Sequence, residues 1–239
     1  MKNELKIVKN ELNIVKQELD KTKNENKIEL DKIKNENIQL HERLKNIEDL
    51  LFNKNGNENI IFNDSLIAKE EQDKKLLISW ISEKGNIEKI NLLYRATRDG
   101  DTSKVFFEKC SNKGPTISFV KTRKGRRFGG FTKTEWTDKL KWITLRDANA
   151  FLFSLDNQKK YNVLMPDYAM RCIPYNCCLV YGNNGRGEGM CIYSGFLNSQ
   201  KHIENNIKKV YDLPSDHCLS GEENFSVEEL EVYQIIFKN

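Results

Sequence analysis

Six cysteines and three histidines are the most reactive side chains in this 239-residue sequence. The thiols are Cys110, Cys172, Cys177, Cys178, Cys191 and Cys218; the imidazoles are His41, His202 and His217. A structural zinc site needs four such ligands, usually as two closely spaced pairs. Four residues separate Cys172 from Cys177-Cys178, and no second spaced pair follows. His217 and Cys218 would point to opposite faces if they lay in a strand. The spacing favours no metal, and the thiols read as small buried hydrophobes. A thiolate of depressed pKa, acting as an antioxidant, is the alternative chemistry for them.

Hydrolytic chemistry finds less support. Tyr193-Ser194-Gly195 lacks the G-x-S-x-G frame that exposes a nucleophilic serine. Carboxylates for general acid–base work are available at Asp99, Asp101, Glu108, Glu188, Glu228, Glu229 and Glu231. Such chemistry needs two of them opposed across a cleft, and spacing alone brings none together. In the last apolar run, period two places Val227, Glu229, Glu231, Tyr233, Ile235 and Phe237 on one face. Glu229 and Glu231 read there as the half-exposed start of a strand. The glycine-rich stretch Tyr181–Gly189 matches neither a P-loop nor a dinucleotide fingerprint, and Glu188 inside it would repel phosphate. It reads as a loop needing positive φ or close backbone approach. Lys121, Arg123, Lys124, Arg126 and Arg127 cluster around Gly125. A hairpin tip so charged could meet an acidic partner, anionic lipid or nucleic acid, or stand as a solvated turn.

These residues must be positioned by two unlike segments. Residues 1–52 hold no Pro, Gly, Cys or Trp, and balance 11 basic against 11 acidic side chains. Leu5, Val8, Leu12, Val15 and Leu19 step by 3 and 4; Leu30, Ile33, Asn37, Leu40, Leu44, Ile47 and Leu51 resume the pattern. Thr22 and Asn26 bridge the two halves, with one phase slip between Asn26 and Leu30. The spacing predicts a long coiled-coil helix over 1–52, with a homodimer through residues 5–51 as the favoured state. Asn53–Asn59 is polar and turn-rich, so a linker is expected at 53–60.

Residues 53–239 carry the whole formal charge of +4 (28 basic against 24 acidic). A charge this mild argues against a chain built for nucleic-acid binding. Helices are expected over 70–81, 103–110 and 199–210, with Asn63-Asp64-Ser65 and Asp99–Thr102 offering caps or turns. Strands are expected at 116–120, 126–131, 150–155, 161–165, 177–181, 189–193 and 227–237. Lys124-Gly125 would turn the hairpin between the first two. Many short strands with few helices imply an α+β, mainly β, antiparallel sandwich and argue against a doubly wound sheet. No run of 18 apolar residues occurs, so no transmembrane segment is expected. Met1-Lys2-Asn3-Glu4 opens no secretory signal, so a cytoplasmic site is expected, peripheral to membranes only through a partner.

Several blocks resemble the TLDc domain family. Leu92–Gly100 (LLYRATRDG) looks like its opening. Phe106–Cys110 (FFEKC), Lys113–Thr116 and Phe128-Gly129-Gly130-Phe131 with Trp136 continue it. Asp147–Leu155 looks like its middle, and Gly187–Ile192 with Phe225–Phe237 like its end. The blocks keep the family's order over about 60–237, most like protist-type members with a coiled coil in front. Arg186 and Glu188 interleave the late glycine block, a departure from the family pattern. The resemblance implies two antiparallel sheets packed as a sandwich with flanking helices. It implies a non-enzymatic protein-interaction module with no cofactor, linked to oxidative-stress resistance and to the V-type proton ATPase as partner. Interaction or structural candidates are Arg95, Arg98, Asp99, Gly129, Gly130, Glu188 and Glu229.

Overall fold

In a computed structural model the residues described are 16, 19–24, 26–27, 29–44, 62–139, 142–182, 189–198 and 202–238. The chain divides into two units, Met1–Asn57 and Glu58–Asn239. In the first, every described residue is helical and exposed, with 29–44 continuous. Leu19, Leu30, Ile33, Leu40 and Leu44 of the apolar stripe all face solvent in the single chain. The remainder of the expected coiled coil, and the whole expected linker 53–60, lie outside the described residues.

The second unit is an α+β sandwich of two six-stranded antiparallel sheets. It begins with helix α1 (Glu71–Ser82), whose Leu77, Ile78, Trp80 and Ile81 are buried at helical spacing. Strand β1 (Ile87–Arg95) runs into one turn of helix, α2 (Ala96–Asp99). Helix α3 (Ser103–Cys110) follows, with Thr102 as N-cap accepting from the Val105 amide. Then come β2 (Thr116–Thr122), β3 (Arg127–Thr132), β4 (Ile143–Leu145), β5 (Phe151–Ser154) and β6 (Lys159–Asn162). The series ends with β7 (Met170–Cys172), β8 (Cys177–Tyr181), β9 (Met190–Tyr193), β10 (His202–Glu204), β11 (Asn224–Phe225) and β12 (Val227–Phe237).

The first sheet has the order β1-β12-β2-β3-β5-β6 and the second β11-β10-β9-β8-β7-β4. The last long strand therefore sits between two early ones, so the sheet cannot be completed until the chain end arrives. Val120, Phe128, Leu152, Leu230 and Val232 of the first sheet share one core with Leu179, Tyr181, Met190 and Ile192 of the second. The opposite face of the first sheet is aromatic. Phe119 meets Phe62, Phe153 and Tyr233 there, and Trp80 of α1 packs on Phe153. Both faces of this sheet are covered, so β2, β3 and β5 are buried along almost their whole length.

Gly129 and Gly130 in β3 permit this double packing. A Cβ on Gly129 would lie 1.9 Å from the Ser118 carbonyl oxygen and 2.6 Å from the Phe153 ring. One on Gly130 would lie 2.7 Å from the ring of Tyr181, whose hydroxyl donates to the Gly130 carbonyl at 2.9 Å. The two glycines open opposite faces, one for an aromatic of the outer layer and one for the facing sheet.

Three expectations need correction. The helix expected over 199–210 is, where described, the strand β10 and a short 3₁₀ turn Ile207–Lys209, because His202 and Ile203 pair with β11. The strand expected at 161–165 runs over Lys159–Asn162 instead and ends before Val163. Glu229 and Glu231 are not a half-exposed strand start: both are buried. Their side chains are covered by the segments at 64–68 and 95–99, which supply donors to them.

The predicted outcome for Gly129→Ala is a loss of about 3 kcal/mol or more in urea unfolding, because rigid backbone meets the new methyl. Gly100→Ala meets nothing within 4 Å and carries only the strain of its backbone at φ 103°, ψ 159°, about 1–3 kcal/mol. Equal losses would contradict the packing argument.

Candidate interaction site

Four of the candidate residues converge on one corner of the first sheet, where β1 turns into α2 beside β12. Arg95 and Glu231 are directly opposite in the β1–β12 register. The Arg95 Nε donates to Glu231 Oε1 at 2.8 Å. The same oxygen accepts from the Leu66 amide at 2.9 Å, and Oε2 accepts from Ser65 Oγ at 2.6 Å. A second nitrogen of the Arg95 guanidinium donates to the Asp64 carbonyl. Burial alone would lower the pKa of Arg95; the bond and charge of Glu231 outweigh it and hold the guanidinium more firmly protonated.

Glu229 lies two residues back and binds the start of α2. Its Oε1 accepts from the Thr97 amide at 3.2 Å and the Leu230 amide at 3.0 Å, and Oε2 from the Thr97 hydroxyl. A carboxylate at a helix start fills donors that the helix leaves unpaired. Asp99 closes the loop from below: Oδ2 accepts from the Arg95 amide at 2.9 Å. Arg98 grips the same carboxylate in a bidentate pair at 2.9 and 2.7 Å. The Arg98 bond is the largest cause that holds Asp99 below the usual carboxylate range, against the opposing effect of burial. Arg98 is the exposed member, with 46 % of its side chain open to solvent.

The other candidates lie elsewhere. Gly129 and Gly130 are inside the sandwich, and Glu188 lies outside the described residues. The basic run is largely neutralised by partners. Lys121 pairs with Glu228 and Lys124 with Glu222, each at 2.7 Å. Arg127 binds Asp73 and Asp156, and Arg123 donates to the Leu197 carbonyl. Arg126 lies beside Gly221. Lys124-Gly125 does turn the β2–β3 hairpin, with Gly125 at φ +85°. The run organises the fold around this turn more than it presents a bare cationic tip.

Burial raises the thiols of Cys110 and Cys178, and those of Cys172 and Cys218 to about 11. That is the reverse of what an activated nucleophile requires. No group of three metal-ligating side chains occurs among the described residues.

Sequence reasoning missed one set of surface residues. Trp142, Tyr175, Leu164 and Met165 are exposed around β4 and β7, and Trp142 stacks on the Arg171 guanidinium at 5.0 Å. Large apolar residues beside strand runs read as core. Trp142 directly precedes the edge strand β4, and Leu164, Met165 and Tyr175 lie in connecting segments outside the strands, so the sheets do not cover them. No helix among the described residues is long and apolar enough to cross a membrane.

Glu231→Ala is predicted to destabilise the full chain by about 3–5 kcal/mol in urea unfolding, since it strands the Arg95 charge with Ser65 and Leu66 unpaired. Arg98→Ala removes an exposed partner and costs about 1 kcal/mol or less. Small losses in both would show that the corner does not rest on Glu231.

A zebrafish (Danio rerio) protein named mTOR-associated protein MEAK7 is 25% identical over 157 residues. The similarity spans 60% of this chain but 32% of that relative, so most of the relative has no counterpart in the comparison. The family model described as the TLDc domain matches residues 61–236, the sandwich from its first described core residue, Phe62, to the end of β12. This chain belongs to the TLDc domain family.

Proposed function

We propose that the chain is a non-enzymatic interaction module in which the TLDc sandwich docks on a protein and the N-terminal helix brings two copies together. The observation that carries the reading is the state of the corner at β1, α2 and β12. Its buried carboxylates are occupied by donors of the fold itself, while the Arg98 guanidinium remains open to solvent. Groups already committed to holding loops are poor acid–base catalysts, whereas an exposed, backbone-anchored arginine suits recognition. The partner proposed first is the V-type proton ATPase, on the strength of the family resemblance. Oxidative-stress resistance would follow from that docking. A nucleic-acid role has less support, because three of the five cations of the 121–127 run face carboxylates. The setting proposed is the cytoplasm, with membranes reached through the partner.

Self-association rests on the stripe Leu30, Ile33, Leu40 and Leu44, which a second helix of the same pattern would cover. The protist-type architecture, with a coiled coil ahead of the domain, is part of this proposal.

Capture from a native lysate on the full-length chain is expected to recover proton-ATPase subunits, with recovery about tenfold lower on Arg98→Glu bait. Folded wild-type bait that recovers no such subunit overturns the ATPase assignment. In sedimentation equilibrium the 28.0 kDa chain should run at twice its mass. The double variant Leu40→Asp/Leu44→Asp should weaken that dimer by about 100-fold. A wild-type monomer at tens of micromolar, or an unaffected double variant, refutes pairing through this stripe.

A further inference from the structure

Cys177 on β8 and Cys191 on β9 place their sulfur atoms 2.8 Å apart. Both are buried, and all six cysteines of the chain carry thiols in this structure. The distance is longer than the ~2.0 Å of a disulfide bond, but it leaves no room for another atom between the sulfurs. The strands explain the approach. β8 and β9 are antiparallel neighbours, with Cys177 opposite Tyr193 and Val180 opposite Cys191. The register shifts by one residue between Cys177 and Leu179. A bulge of this kind re-aims the side chains around it.

The surroundings isolate the pair. Cys177, Cys191 and Val180 form a small cluster of their own, flanked by Ile173 and Tyr193. Cys178, adjacent in sequence, belongs instead to the main core and donates its thiol to the Asp101 carbonyl. Cys172 also lies in the main core. The sulfur next to Cys177 in the chain is therefore turned away from it, and the one 14 residues on is in contact.

We propose that Cys177 and Cys191 are a disulfide-forming modification site, closed by an oxidant of the peroxide class. The proposal is independent of the docking function. A peroxide oxidises one thiol to a sulfenic acid and is itself reduced, with hydrogen peroxide leaving water. The second sulfur attacks the sulfenic sulfur; the S–S bond forms, the S–O bond breaks, and the departing hydroxide takes the thiol proton as a second water. Two thiols and one peroxide thus give one disulfide and two waters. The bond would staple β8 to β9, the central pair of the second sheet.

The test uses the full-length chain treated with excess hydrogen peroxide, quenched, and alkylated in denaturant. Trypsin cuts after Arg171, Arg186 and Lys201, so Cys177 and Cys191 fall on separate peptides. The expected result is a reducible cross-link between peptides 172–186 and 187–201 whose fragments assign Cys177 to Cys191. Unfolding temperature should rise by roughly 5 °C on oxidation and return on reduction. Cys177→Ser and Cys191→Ser should each lose both the cross-link and the shift. Six alkylated thiols after treatment, over-oxidised sulfur without a cross-link, or a cross-link through any other cysteine would overturn the proposal. The mapping is made on the wild-type chain, so it decides the matter even if a serine variant fails to fold.

Discussion

A single buried carboxylate, Glu231, joins three parts of the sandwich that are far apart in sequence. It lies in β12, takes the Arg95 guanidinium from β1, and receives the Ser65 hydroxyl and Leu66 amide from the segment ahead of α1. Its side chain is fully out of water. A carboxylate there is tolerable only when charge and hydrogen bonds replace hydration, and each partner is in turn fixed by the need to supply them. Ser65 extends the arrangement by accepting from the Ile67 and Ala68 amides, which shapes the turn that covers the outer aromatic layer. Tyr233, two residues along the strand, donates to Asp64. The position of the N-terminal cover on the first sheet thus follows from one ion and its donors.

The same device recurs in other loops. Asp147 is buried and accepts from the Thr132 hydroxyl and the amides of Lys133, Thr134 and Asn149. Glu204 is buried in β10 and accepts from the amides of Leu219 and Ser220 and the Ser220 hydroxyl. Burial pushes the Glu204 carboxyl up, against the pull of those bonds. A sandwich with long irregular connections has many backbone amides without a ladder partner, and each must be satisfied. Inward-facing acids do this with several acceptor sites apiece. Of the acids whose types could have suggested catalysis, Asp99, Asp101, Glu229 and Glu231 likewise accept from backbone amides of loops and turns.

Among its described residues the sandwich offers outward Arg98, held by Asp99, and the exposed apolar side chains Trp142, Leu164, Met165 and Tyr175. Neither feature resembles a cleft assembled around a reacting atom. Both are of the kind that a protein surface can recognise. The paired cysteines of β8 and β9 stand apart from this surface and from the main core.

Local pattern made much of the fold legible in the residues themselves. The α1 and α3 helices follow from apolar spacing, with Thr102 capping α3 as its side chain allows. Alternation and β-branched or aromatic content marked β2, β8, β9 and β12 to within a residue or two. Gly125 announced the β2–β3 hairpin. Period two also placed Glu229 and Glu231 on one face, because side-chain direction along a strand is a local property. Whether that face meets water is not local. It depends on a cover 165 residues earlier in the chain and an arginine 136 residues earlier. The same holds for Trp142, exposed because β4 ends the sheet, and for Cys177 and Cys191, brought together by a strand register. Local pattern set most of the helices and longer strands and the direction of their side chains. The tertiary structure alone decided which of those side chains are buried together, because burial is settled by which segments pair across the sheets.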